Sequence, residues 1–129
     1  MAESSATLHE SPDKLNAATI DRHRAIVSLM EELEAVDWYD QRVDAAGDEE
    51  LRAILAHNRD EEKEHAVMTL EWLRRRDPQL DRQLRTYLFT DKPVLEVEAA
   101  AEAAEAAGED AAADDGSLGI GSLREGGRP

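Results

Sequence analysis

Apolar residues recur along the first two thirds of the chain at the three- and four-residue spacing of α-helices. Ile26, Leu29, Met30, Leu33, Val36 and Val43 mark one helix, with Ser11-Pro12 as cap and first turn and an end near Ala46. Gly47 closes it and Asp48 caps the next. That second helix runs to about Arg76 with Leu51, Ile54, Leu55, Met68, Trp72 and Leu73 on one face. Asp77-Pro78 opens a short third helix, along which Leu80, Leu84, Tyr87 and Leu88 align before Thr90-Asp91-Lys92-Pro93 stops it.

Past this point the pattern fades. The alanine- and glutamate-rich stretch after Pro93 has little to bury and is expected to be a linker. It leads into DGSLGIGSLR, in which Gly-Ser-Leu occurs twice around an isoleucine. The predicted layout is a flexible N-terminus (residues 1–11), a helical domain (12–92), an acidic linker (93–114) and a terminal peptide (115–124). The fold class is all-α. Two helices of about 30 residues share one seam and leave apolar surface open, and pairing two such hairpins closes a four-helix bundle.

Composition sharpens this picture. Aromatic residues are 4% of the chain and charged residues 35%, so one copy has a thin core. The net charge of -15 excludes nucleic acid and anionic membrane as natural partners and favours cations. With no cysteine, neither a disulfide framework nor a thiolate zinc site can form. The N-terminus lacks an apolar signal region, and no run reaches a membrane span, so a cytoplasmic protein is expected. Glycine-rich phosphate loops, basic aromatic patches and nucleophilic triads are not in evidence.

Candidate chemistry lies within the apolar stripe of the second helix. At about 100° per residue, Asn58, Glu62 and His65 fall within about 40° of Leu51. Burying such groups unpartnered is costly, and a bound cation offsets that cost. Glu32 lies 15 residues before Gly47 and Glu62 lies 15 after it, so in a hairpin both stand about 22 Å from the turn. Di-iron bundles take one Glu from each of two helices and Glu-x-x-His from each of the other two. This chain supplies one of each, and two copies would supply four carboxylates and two imidazoles. That donor set suits iron or manganese, with zinc as a competitor. The alternative is a metal-free polar layer satisfied by Asn58 and arginines.

Other residues have plainer readings. Glu31 and Glu34 point away from the apolar face, as a solvated face or as a cation-attracting entrance. Trp38 and Tyr39 are ordinary packing residues, although Tyr39 shares a side with Glu32. Met68 reads as core. His57 reads as exposed or paired with an acid, His9 and His23 lack a Glu-x-x-His partner, and Arg74, Arg75 and Arg76 suit a helix C-terminus.

The stretches RHRAIVSLMEELEAVDWYDQRVDA (22–45), AILAHNRDEEKEHAVMTLEWLRR (53–75), RTYLF (85–89) and GSLGIGSL (116–123) resemble the encapsulated ferritins, the ferritin-like cargo of encapsulin nanocompartments. The resemblance implies a hairpin that dimerises into a ferritin-like four-helix bundle, with five dimers in a ring-shaped decamer. It implies a ferroxidase centre at the dimer interface, where Glu32, Glu62 and His65 of both chains hold two iron ions, Fe(II) or Fe(III), with Tyr39 close by. Calcium, zinc or manganese can substitute. Glu31 and Glu34 match an entry site with Trp38 beside it. Dioxygen or peroxide is the oxidant, and storage falls to the encapsulin shell. The terminal peptide matches the family's targeting signal, with Leu118, Ile120 and Leu123 as apolar anchors for extended docking, which sets the location in the shell lumen. Competing readings are a rubrerythrin-like peroxidase using a di-iron cofactor and a non-enzymatic structural bundle.

Overall fold

The computed structural model describes residues 7–126, with side chains over residues 7–110. Among the described residues the protein has four α-helices and no strand: α1 (Ala17–Ala45), α2 (Glu49–Arg76), α3 (Pro78–Tyr87) and α4 (Val94–Gly126), preceded by a 3-10 turn at Pro12–Lys14. None of the described helices is long and apolar enough to cross a membrane. Two compact units divide the chain, Met1–Asp81 and Arg82–Pro129.

The first unit is built on the α1–α2 hairpin. Its start differs from the sequence expectation. Ser11-Pro12 opens only the 3-10 turn, because the Ser11 hydroxyl is turned onto the Asp13 carboxylate and Leu15 is extended. The true cap of α1 is Asn16, whose side chain accepts the Thr19 amide at 2.8 Å. The other boundaries follow the expected chemistry. Asp48 accepts the Leu51 amide at 2.9 Å to start α2, and Asp77 accepts the Leu80 amide at 3.0 Å to start α3. Ala46, Gly47 and Asp48 alone connect α1 to α2, so the helices must run antiparallel.

The hairpin seam is narrow. Among the described residues only Ala66 and Leu73 are buried, at 5% and 6% exposure. Ile26, Met30 and Leu33 on α1, and Leu51, Ile54, Val67 and Met68 on α2, are exposed. Met68 therefore does not join a core as expected: one pair of helices has one seam, and this residue stands outside it. Polar links pin the register instead. Arg59 Nη1 reaches Asp40 Oδ1 across the hairpin at 2.8 Å, and Arg52 Nε donates to the Val43 carbonyl at 3.1 Å. At the far end Arg74 holds both Glu71 oxygens at 2.6 Å and also binds Asp81, tying α2 to the first turn of α3.

In the second unit α3 ends where Phe89 takes a left-handed backbone, with φ of 60°. Thr90 Oγ1 then caps the Tyr87 carbonyl at 2.8 Å. After Pro93 the chain re-enters a helix, with the Glu96 and Val97 amides donating to the Pro93 carbonyl at 3.0 and 3.1 Å. The stretch expected as a linker has a helical backbone, since alanine and glutamate are strong helix formers even without a surface to pack on. The helical backbone of α4 runs on through residues 115–124. The side chains of Leu118, Ile120 and Leu123 lie outside those described.

Candidate metal centre

Three side chains converge midway along the hairpin. Glu32 comes from α1, and Glu62 and His65 come from successive turns of α2. One ligand atom from each lies within 4.8 Å of the others. His65 Nδ1 is 3.4 Å from Glu62 Oε2 and 3.8 Å from Glu32 Oε2.

Hairpin geometry explains the convergence. Helical side chains lean toward their own N-terminus. On α1 that direction is away from the turn, and on α2 it is toward the turn. Glu32, 15 residues before Gly47, therefore leans out to meet His65, 18 residues after it and leaning in. Glu62 completes the group because three residues along a helix return to nearly the same face.

The three side chains are 29%, 23% and 44% exposed for Glu32, Glu62 and His65. The cluster is thus half-covered, with the imidazole its most open member. Two carboxylates concentrate negative charge on one spot, which a divalent cation balances. Mixed oxygen and imidazole donors suit first-row divalent metals. Three donors also leave coordination positions open.

The remaining candidates lie in different places. Tyr39 is half-buried, and the Arg42 guanidinium sits 5.4 Å from its ring centre. Glu31 and Glu34 are exposed. Trp38 is also exposed and lines a shallow groove with Gln41, Arg42 and Ala45. By helical phase, Glu31, Glu34 and Trp38 share a strip of α1 turned roughly 100–160° from Glu32. Asn58 is half-buried one turn before Glu62. His57 pairs with Glu61 at 2.9 Å, both exposed, in keeping with its plainer reading.

One pair next to the centre was not singled out from the sequence. Arg59, three residues before Glu62, clamps Asp40 on α1. Asp40 lies seven residues before Gly47 and Arg59 lies 12 after, an offset that hides the pair from a search for equal distances. The long arginine side chain, leaning back toward the turn, closes that gap. The two carboxylates Asp40 and Asp60 hold the Arg59 guanidinium above its ordinary pKa.

Glutamate on one helix and Glu-x-x-His on the facing helix are half of the ligand arrangement of the ferritin-like bundles. Residues 7–91 match the EncFtn-like family, and the chain belongs to that family. It is 64% identical over 129 aligned residues to the encapsulated ferritin-like protein of Rhodospirillum rubrum, covering 96% of this chain and 92% of the relative. Over 90 residues it is 59% identical to a ferritin-like protein of Thermotoga maritima, covering 70% of this chain and 79% of that one. A solved structure from Nitrosomonas europaea superposes with a TM-score of 0.66 at 63% identity, covering 67% of this chain and 96% of the other.

Proposed function

We propose that this protein is a ferroxidase whose centre is completed by a second copy of the chain. The observation that carries the reading is the approach of Glu32, Glu62 and His65 to within 4.8 Å. The donor set fits iron, yet one chain offers three ligands and leaves the imidazole 44% exposed. Exposed Ile54 and Met68 share the outward side of α2 with His65, an apolar border that a second hairpin would cover. Four glutamates and two histidines would then face two Fe(II) ions, and four carboxylates balance two divalent charges.

In this reading Fe(II) is the substrate. Glu32 and Glu62 hold and bridge the two ions, and His65 fixes their position from the side. Each Fe(II) gives up one electron, dioxygen or peroxide accepts the pair, and carboxylate donors favour the higher charge that results. Glu31 and Glu34, with Trp38 beside them, form the acidic approach through which Fe(II) enters. Tyr39 stands on the same side of α1 as Glu32 and supports the centre. Dimers assemble further into a ring of five. The name of the Rhodospirillum rubrum relative supports an encapsulin shell as partner, reached through Leu118, Ile120 and Leu123 of the terminal peptide, and the shell lumen as the place of mineral storage.

The test is the initial rate of aerobic Fe(II) oxidation, corrected for buffer background, in the parent and in Glu62→Ala. A rate that falls to background in the variant supports the centre. Equal rates would refute it and favour a metal-free bundle.

A further inference from the structure

Glu62 has two bases beside it on its own helix. Arg59 lies three residues before it and Lys63 one residue after it. Side chains three apart on a helix are neighbours, and a glutamate leans toward the helix N-terminus, here toward Arg59. The Arg59 and Glu62 side chains are each 23% exposed. A guanidinium laid on Glu62 would make a charge-assisted bond that water weakens little. That carboxylate would then be lost to a metal ion.

The observed arrangement avoids this. Among the described residues neither Arg59 nor Lys63 pairs with Glu62, whose carboxylate faces His65 at 3.4 Å. Arg59 Nη1 donates to Asp40 Oδ1 at 2.8 Å, and its Nε donates to Asp60 Oδ1 at 3.1 Å. Lys63 Nζ donates to the same Asp60 oxygen at 3.2 Å. Asp60 holds Arg59 weakly by itself, because adjacent residues on a helix do not face each other. The stronger hold is Asp40 on α1. It lies seven residues before Gly47, whereas Glu62 lies 15 after it. Asp40 is therefore nearer the turn, and it draws the guanidinium toward the turn and away from Glu62.

We infer that Asp40 is a positioning residue for the metal centre: by occupying Arg59 it keeps Glu62 free to bind metal. Asp40 is outside the group of Glu32, Glu62 and His65 and acts through Arg59. The network has two acids, Asp40 and Asp60, and two bases, Arg59 and Lys63, so it guards Glu62 without adding a net positive charge that repels cations. The inference rests on the proposed reading of Glu32, Glu62 and His65 as a metal centre, and it is independent of whether iron is oxidised there.

The experiment is isothermal titration of the full-length protein with zinc at fixed ionic strength, with helix content followed by circular dichroism. Asp40→Asn should weaken zinc binding by about threefold to tenfold. Arg59→Gln should bind zinc as the parent does or more tightly. Adding Asp40→Asn to Arg59→Gln should then cost nothing further, and Asp40→Glu should keep most of the parent affinity. Arg59→Gln weakening zinc as much as Asp40→Asn overturns the inference, because the pair would then serve only to set the helix register. An equal loss from Asp40→Asn with and without Arg59 also overturns it, because Asp40 would then act only by its charge at a distance. Glu62→Ala separates the two layers of the argument. If it binds zinc like the parent, the centre itself is refuted and this inference with it. If it loses zinc while Asp40→Asn does not, the centre stands and only the role of Asp40 fails.

Discussion

His65 Nδ1 stands 3.8 Å from a Glu32 carboxylate oxygen, although the two residues are 33 positions apart and on facing helices. Glu62, on the same helix as His65, is only slightly closer at 3.4 Å. The imidazole is thus the hinge of the cluster, and it adds nitrogen to an otherwise all-oxygen set. His65→Ala should lower affinity for zinc or Fe(II) markedly. Calcium, which prefers oxygen ligands, should be affected much less. Isothermal titration with zinc and with calcium, on parent and variant, measures the two effects side by side, and equal losses for both metals would contradict the assignment.

Leu73 is one of two buried apolar residues among those described. Truncation to alanine should cost about 2–4 kcal/mol, the usual range for emptying a packed leucine site. Ala66, the other, lies one residue beyond His65. Ala66→Leu should overpack the seam at a cost of about 1–3 kcal/mol. Because Ala66 is the chain neighbour of His65, the substitution should also weaken metal binding. Urea titration gives the stabilities, and a Leu73→Ala loss under about 0.5 kcal/mol would mean the seam is not what holds the hairpin.

Acid stability should report on the α2–α3 corner. Hydrogen bonds from Arg74 and Arg75 pull the Glu71 carboxyl down from an ordinary value of 4.5 to about 2. A depressed folded-state pKa contributes stability that is complete above the unfolded value and disappears as pH falls through the folded one. Melting temperature should therefore lose this contribution between about pH 4.5 and about pH 2. Glu71→Gln should be less stable than the parent at pH 7 and converge with it toward pH 2. The size of the effect is small, since Glu71 is exposed enough for water to screen it. Parallel melting curves across that window would show that Glu71 is not linked to folding.

Gly108 interrupts the interior of α4, and a methyl group added there meets nothing within 4 Å. Gly108→Ala should therefore stabilise this helix by about 0.5–1 kcal/mol. Amide hydrogen exchange over residues 94–110 should slow in the variant. Unchanged exchange would mean that the segment is not limited by its own helix propensity.

Some of this was legible in the sequence because the relevant physics is local. Asp48 and Asp77 announce helix starts by residue type, and both accept the amide three residues on. The grouping of Glu32 with Glu62 and His65 follows from distances to Gly47 and the helical repeat. Other features depend on competition that a pattern does not resolve. Ser11-Pro12 reads as a start, yet α1 begins after Asn16, because Ser11 turns to Asp13 and Asn16 takes the cap. Met68 follows the apolar period, but period gives spacing and not whether a second layer exists to cover it. Among its described side chains α4 buries none, and its helical backbone follows from alanine and glutamate propensity, which a linker composition does not exclude. The Arg59–Asp40 clamp depends on side-chain reach, which residue spacing does not encode.

The three-residue connection through Gly47 also orders events in time. Loop-closure entropy rises with the length of chain enclosed, so contacts near the turn, such as Arg52 with Val43, form at least entropic cost. Arg59 and Asp40 come next, and the pairing of Glu32 with His65 encloses the longest of these loops. A chain that zips upward from its turn brings its acidic ligands together late, after the flanking register is set. Cations met earlier in folding find separate carboxylates with no preference among them, so selectivity belongs to the finished hairpin and not to the nascent chain.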